Sequence, residues 1–101
     1  MNLNINKVII VGKLDKDPNI GETNNGKTVA NLLVVTDESY TNIEKVKVEK
    51  YERHKIVAWG RQAELCKNFK KGDKVYIEGK NQTRRTDSSI VTEIVATLVQ
   101  K

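Results

Sequence analysis

The chain has 101 residues, 38% hydrophobic and 31% charged, which suits one soluble, globular domain with a modest core rather than a disordered chain. A formal net charge of +5 and a pI near 9.4 favour polyanionic over cationic partners. No apolar run approaches the ~20 residues of a membrane span, the N-terminus MNLNINKV has no signal-peptide core, and the lone cysteine, Cys66, excludes an intrachain disulfide, so a cytoplasmic location is expected.

In chain order, INKVIIVGKL (5–14) is a nearly continuous Val/Ile run, predicting a first strand buried on much of both faces. Gly12 interrupts it, as a bulge or a close backbone approach would. DKDPNIGETNNGK reads as loop and turn, and Asn25-Gly26 is a hairpin signal. TVANLLVVTD is a second strand. ESYTNIEKV is expected to be a mobile connection carrying Tyr40, and a long third strand runs from about Lys45 to Gly60.

The richest part of that strand is YERHKIVAWGR (51–61). At a period of two, one parity carries Tyr51, Arg53, Lys55, Val57, Trp59 and Arg61, and the other Glu52, His54, Ile56, Ala58 and Gly60. The first parity alternates cations with aromatic rings, which suits a single nucleic-acid strand: cations for phosphates, flat apolar rings for unstacked bases. The second offers Ile56 and Ala58 to a core. The plain alternative is an amphipathic strand whose solvent face happens to be basic.

Over 61–70, Gln62, Leu65, Cys66 and Phe69 recur at i, i+3, i+4 and i+7, one face of a short helix. Lys67, Lys70 and Lys71 near its end, with Gly72 after it, suit the helix dipole and a left-handed cap. Cys66 there reads as a small buried hydrophobe. DKVYIEGKNQTRRT is a fourth strand with Val75, Ile77 and Gly79 on one parity. A turn at Asp87-Ser88-Ser89 leads to IVTEIVATLV, a fifth strand placing Ile90, Ile94, Ala96 and Leu98 on one face. The fold class is therefore all-β: a five-stranded OB-fold barrel with one short α-helix between the third and fourth strands, formed by residues 1–101 as a single domain.

Residues 21–28, GETNNGKT, match the phosphate-loop pattern G-x-x-x-x-G-K-S/T. That loop must follow a buried strand and open a helix, so that backbone N–H groups hold phosphates. Here the β-forming VANLLVVT follows and DKDPNI precedes, so a nucleotide site is rejected. One His and one Cys, far apart in the expected sheet, make no zinc site. His54, on the core or interface parity, suits a hydrogen-bonded packing role better than acid–base chemistry. No catalytic residue, metal or cofactor is expected.

In order, NKVIIVGKLDKDPNI, NNGKTVANLLVVTDESY, ERHKIVAWGRQAE and KKGDKVYIEGKNQTRR resemble the core blocks of bacterial single-stranded DNA-binding proteins. The likeness covers nearly the whole chain. It implies an OB-fold, usually a homotetramer, that wraps single-stranded DNA with little sequence preference in replication, recombination or repair. By position, the resemblance makes Tyr40 and Trp59 base-contacting aromatics, and Lys7, Lys55, Arg84 and Arg85 basic contacts. It makes His54 a subunit-interface residue. Tyr51, Arg53 and Arg61 join the DNA-binding set from the stripe itself.

Three departures stand out. Arg53 and Thr86 occupy positions where the family typically has Trp, and Lys74 one where Gln is common. The family's flexible linker and acidic C-terminal tip do not appear after ATLVQK, which argues against recruitment of replication proteins. A dimer is the alternative to the tetramer. The alternative function is that of a replication-restart or conjugation accessory protein acting mainly through protein contacts. Single residues also keep alternatives: Trp59 in the core if a bulge slips the parity, Tyr76 in packing or in DNA contact, Arg84-Arg85 as a solvated basic turn.

Overall fold

A computed structural model describes residues 3–101 and contains eight strands and one helix among them. The strands are β1 (Val8–Leu14), β2 (Asn19–Glu22), β3 (Thr28–Asp37), β4 (Tyr40–Thr41), β5 (Lys47–Val48), β6 (Tyr51–Trp59), β7 (Lys74–Arg85) and β8 (Ile90–Gln100); helix α1 (Gly60–Cys66) lies between β6 and β7. Pairing runs β1-β7-β8-β6-β3-β2, and β3 also pairs with β1. All contacts are antiparallel except β6–β8, which is parallel and limited to Ile56↔Ile94 and Val57↔Val95.

The alternating strands turn one parity inward. Ile10 and Leu14 of β1, Ala30, Leu32 and Val34 of β3, Ile56 and Ala58 of β6, and Val75 and Ile77 of β7 join one core cluster. β1 departs from the sequence expectation here. It is buried on one face only, with Ile9 and Val11 about half exposed on the other. Gly12 marks a close approach: a Cβ there would lie 2.3 Å from the Val35 carbonyl oxygen. β1 changes partners at this point, pairing with β7 through Lys13 and with β3 at Lys13 and Leu14.

Four further segments differ from expectation. The stretch read as loop contains β2, which forms a hairpin with β3 across the Asn25-Gly26 turn, closed by Thr23 N–H to Lys27 O at 2.9 Å. The phosphate-loop match rejected from the sequence is, as the Asn25-Gly26 signal predicts, a β-hairpin that opens no helix. The stretch read as mobile forms the β4–β5 hairpin, and the Asn42 carboxamide oxygen accepts from the backbone N–H of Glu44 and Val46 at 2.9 and 3.0 Å. The third strand starts at Tyr51 rather than near Lys45, and the helix spans Gly60–Cys66 rather than 61–70. Gly72 does not cap that helix; its N–H donates to Leu14 O at 2.8 Å.

Ala63 and Cys66 of α1 and the following Phe69 enter the core, whereas Leu65 is exposed. Two side chains fix the helix against the sheet. The Thr28 hydroxyl donates to Glu64 Oε1 at 2.7 Å, and Gln62 Oε1 accepts from Val99 N–H at 2.9 Å. The last strand also corrects the predicted face. Glu78 pairs with Leu98 and Gly79 with Ala96, leaving Thr97 as an extra residue. Such a bulge reverses parity, so Ile94 and Ala96 are buried before it and Val99 after it, while Leu98 is only partly so; Ile90, at the tip of the β7–β8 arm, is exposed.

Candidate nucleic-acid interface

β6 pairs with β3 along its whole length, from Val29↔Trp59 to Asp37↔Tyr51. Because successive strand residues alternate faces, Tyr51, Arg53, Lys55, Val57 and Trp59 share the outer face with Val29, Asn31, Leu33, Val35 and Asp37. β2 extends this face by placing Asn19 opposite Asn31 and Gly21 opposite Val29. Trp59 is 40% exposed and Tyr51 46%, so neither ring belongs to the core. Val57 is the buried member of the stripe and lies outside the core cluster.

Arg61 leaves the stripe. Gly60 has φ +58°, a left-handed conformation that costs a glycine little, and it turns the chain into α1. Arg61 therefore lines a groove with Leu65, Phe69 and the end of β8 instead of continuing the row after Trp59. Tyr40 stands on the β4–β5 hairpin opposite Val48 and is 55% exposed. Lys7 is exposed just before β1. Beside it the Asn6 carboxamide bonds the Asn81 backbone twice, at 2.8 and 3.0 Å.

Arg84 and Arg85 lie near the tip of the β7–β8 arm, opposite Val91 and Ile90. As neighbours on a strand they face opposite sides, and only Arg84 turns toward β6. There it meets Lys55, Lys16, Asn19, Asn31, Leu33 and Val91 in a groove of about 370 Å³. A second depression, also about 370 Å³, joins Tyr51 and Val35 to Val11, Lys13 and Lys74. Tyr76 lies opposite Val11 of β1. Its hydroxyl donates to Glu78 Oε1 at 2.5 Å, and this bond holds the phenol above its usual pKa.

The electrostatics qualify the stripe. Arg53 Nε is 3.2 Å from Asp15 Oδ2, and Arg84 Nε is 3.3 Å from Glu93 Oε1. Both pairs are partly exposed, so each adds little to stability, but each places an anion beside a cation expected from the sequence to meet phosphate. Lys55, Arg61 and Arg85 have no such partner among the described residues. Lys27, in the β2–β3 turn, sits with Nζ 5.5 Å from the Trp59 ring centroid. His54 is half-buried on the inner parity, its Nε2 2.9 Å from Thr36 Oγ1. The Thr36 hydroxyl donates to Glu38 Oε2 at 2.8 Å, so it accepts from His54 Nε2–H. Among the described residues, no group of three or more His, Cys, Asp or Glu gathers as a metal site would require, and no helix is long and apolar enough to cross a membrane.

Residues 5–101 match the Single-strand binding protein family. The chain belongs to that family. It is 41% identical over 103 residues to single-stranded DNA-binding protein 1 of Chlorobaculum tepidum, a match covering 95% of this chain and 64% of that relative. The chain thus spans a little under two thirds of the length of this curated relative. Its fold is similar to the crystal structure of the wild-type single-stranded DNA binding protein from Thermus aquaticus, with a TM-score of 0.83, 22% identity, and coverage of 95% of this chain and 49% of that one. A deletion variant of the same protein matches equally well. This likeness shows a mostly β fold of OB type with one short helix.

Lys16, Lys27, Asn19 and Asn31 were not singled out by the sequence. Their signal lies in register, because the Asn25-Gly26 turn fixes which β2 residues stand beside β3, and β3 in turn stands beside β6. At position 86, where the resemblance expects Trp, the Thr86 hydroxyl donates to Ser89 O at 3.0 Å and the backbone closes the turn at 2.8 Å. Position 86 here serves the turn.

Proposed function

We propose that this chain is a non-enzymatic, largely sequence-independent single-stranded DNA-binding protein, a single OB domain whose ring of strand pairings β1-β7-β8-β6-β3-β1 is the five-stranded barrel of that fold. The observation that carries this is the outer face of β6 and β3. It exposes Trp59 and Tyr51 in one row with Arg53 and Lys55, and turns Arg84 of the β7–β8 arm toward the same row. Aromatic rings would stack bases while Lys7, Lys16, Arg53, Lys55, Arg84 and Arg85 neutralise phosphates. Tyr40 would add a further platform on its hairpin, and Arg61 a cation on the helix side. Such a protein acts in the cytoplasm, in replication, recombination or repair, as a homo-oligomer. His54, partly exposed at the inner edge of β6, suits a subunit contact.

Titration of oligo(dT) tests this reading directly. Each neutralised phosphate should contribute about −0.7 to the slope of log K against log salt, and the emission of Trp59, the lone tryptophan, should fall as bases stack. Absence of binding at low salt would overturn the function. Binding without quenching would remove Trp59 from the site.

A further inference from the structure

Where β1 changes partners, two lysines face each other across strands. Lys13 stands directly opposite Lys74 of β7 and opposite Val35 of β3, and Val35 in turn stands opposite Arg53 of β6. Cross-strand partners share a face, so Lys74, Lys13, Val35 and Arg53 form one transverse row over four strands. Both lysines are exposed, and like charges directly opposite on neighbouring strands are destabilising. The acidic residues that flank them along β1, β3 and β7 are engaged elsewhere. Asp15 pairs with Arg53 at 3.2 Å and Asp73 with Lys101 at 3.2 Å, Asp37 accepts from Ser39 N–H at 3.0 Å, and Glu78 accepts from the Tyr76 hydroxyl. Among the described residues, neither Lys13 nor Lys74 has an ion-pair partner. Both line the depression of about 370 Å³ that also holds Tyr51, Val35, Val11, Asp37 and the backbone of Gly12.

We propose that the Lys13–Lys74 pair is a phosphate-binding subsite at which a single DNA strand crosses from the β3–β6 face onto β1. The subsite rests on the single-strand binding reading above and adds a path to it, because the strand turns there from the length of β6 into the transverse row. A phosphodiester anion between the two ammoniums replaces their repulsion with two attractions. The one carboxylate in the lining, Asp37, is already bonded to Ser39, and two cations against it leave the depression net positive. Tyr51 belongs to both surfaces: it ends the β6 row and lines the depression, with its ring 46% exposed. It holds the base whose phosphate reaches the pair, the combination of ring and cation by which single strands are bound. Lys74 stands where the family commonly has Gln, so the pair is this chain's own. Lys13 has strand partners on both sides. The subsite therefore lies beyond the open edge of β1 and delivers the strand to the side on which that edge is free.

The test uses the full chain and oligo(dT) of two lengths. A strand of about 5 nucleotides can be held by the β6 row alone, whereas one of about 30 exceeds the ~16 nucleotides of the largest single OB site. On the long strand, the double variant Lys13→Gln/Lys74→Gln should make the slope of log K against log salt shallower by about 0.7, one phosphate shared by the pair. Trp59 quenching at saturation should stay as in the wild type, and on the short strand the two slopes should agree. In the wild-type chain the long strand should protect Lys13 and Lys74 from acetylation, read by mass spectrometry, and the short strand should protect neither. An unchanged slope on the long strand, or equal acetylation with and without it, would overturn the subsite. So would an equal loss of slope on both lengths, which makes the pair part of the β6 row. Protection by inorganic phosphate at matched ionic strength but not by the long strand would likewise overturn it, leaving a free-anion site. None of these outcomes touches the parent reading, which fails only if no strand binds at low salt.

Discussion

At the scale of single residues, the proposed interface is a competition between internal and external partners. Arg53 and Arg84 are each engaged by a carboxylate, so a phosphate must displace Asp15 or Glu93 before it gains the full guanidinium. The charge-rich stripe is therefore less available than its composition suggests. Replacing Asp15 with Asn should strengthen binding to oligo(dT) and steepen its salt dependence, by up to one phosphate equivalent, about 0.7 in slope. Fluorescence titration at two salt concentrations would show it, and an unchanged slope would mean that Arg53 does not meet phosphate. Trp59→Ala should weaken binding by about 1–3 kcal/mol across sequences. Lys27→Ala should instead lower the salt slope and leave Trp59 quenching intact, because Lys27 contacts the ring without forming its surface. Cys66 is a separate case: fully buried on α1, its thiol is pushed up to about 11. At pH 8 it remains protonated as well as inaccessible, so Ellman's reagent should label the unfolded chain and spare the native one.

At the scale of elements, the shape of the interface depends on two places where backbones nearly touch. A methyl group on Gly12 would meet Val35 O at 2.3 Å and Val34 Cγ1 at 2.9 Å, and one on Gly79 would meet Val95 O at 2.3 Å. Backbone oxygens cannot rotate aside, so Gly12→Ala should force β1 off β3 and destabilise by about 1–3 kcal/mol, as overpacking does. Gly21→Ala is the control. Its new methyl would find only Val29 Cγ1 at 3.8 Å, and the urea midpoint should hardly move. The contrast explains what was legible in the sequence. β6 and β7 alternate strongly enough to declare both strand and face, β3 declared a strand but no face, and Gly12 inside an apolar run announced a bulge or a close approach. β2 declared nothing, since Asn19, Ile20, Gly21 and Glu22 include one large apolar residue; it is a strand because a tight turn lays it against β3. The extra residue Thr97, whose hydroxyl donates to Glu78 O at 3.2 Å, shifted the burial of Leu98 and Val99 in a way no local pattern records. The groove between β6 and the β7–β8 arm was illegible for the same reason: its walls come from five strands and meet only through register.

At the scale of the whole molecule, β1 leaves a surface that one chain does not use. Its pairing with β3 is confined to Lys13 and Leu14, so among the described residues the strand from Val8 to Val11 has a neighbour on the β7 side alone. An unpaired edge of apolar residues is a template for another strand. Ile9 and Val11 stand 54% and 49% exposed beside that edge, with Tyr76 opposite Val11. A second copy placed across a twofold axis would pair the two edges and cover these side chains, since a twofold interface must be self-complementary. Light scattering of the wild-type chain should accordingly give a multiple of 11.4 kDa, and Val11→Asp should return it to a single chain. Its circular dichroism should not change, because Val11 contributes little to the monomer's core. The consequence for binding is selective. A strand short enough to occupy one subunit should bind the variant and the wild type alike. A strand long enough to reach two subunits should lose the gain that linked sites confer, on the order of 10²-fold or more. A wild-type mass of one chain at tens of micromolar protein would remove the assembly and leave a single-subunit binder. Equal losses on short and long strands would instead place Val11 in the DNA site.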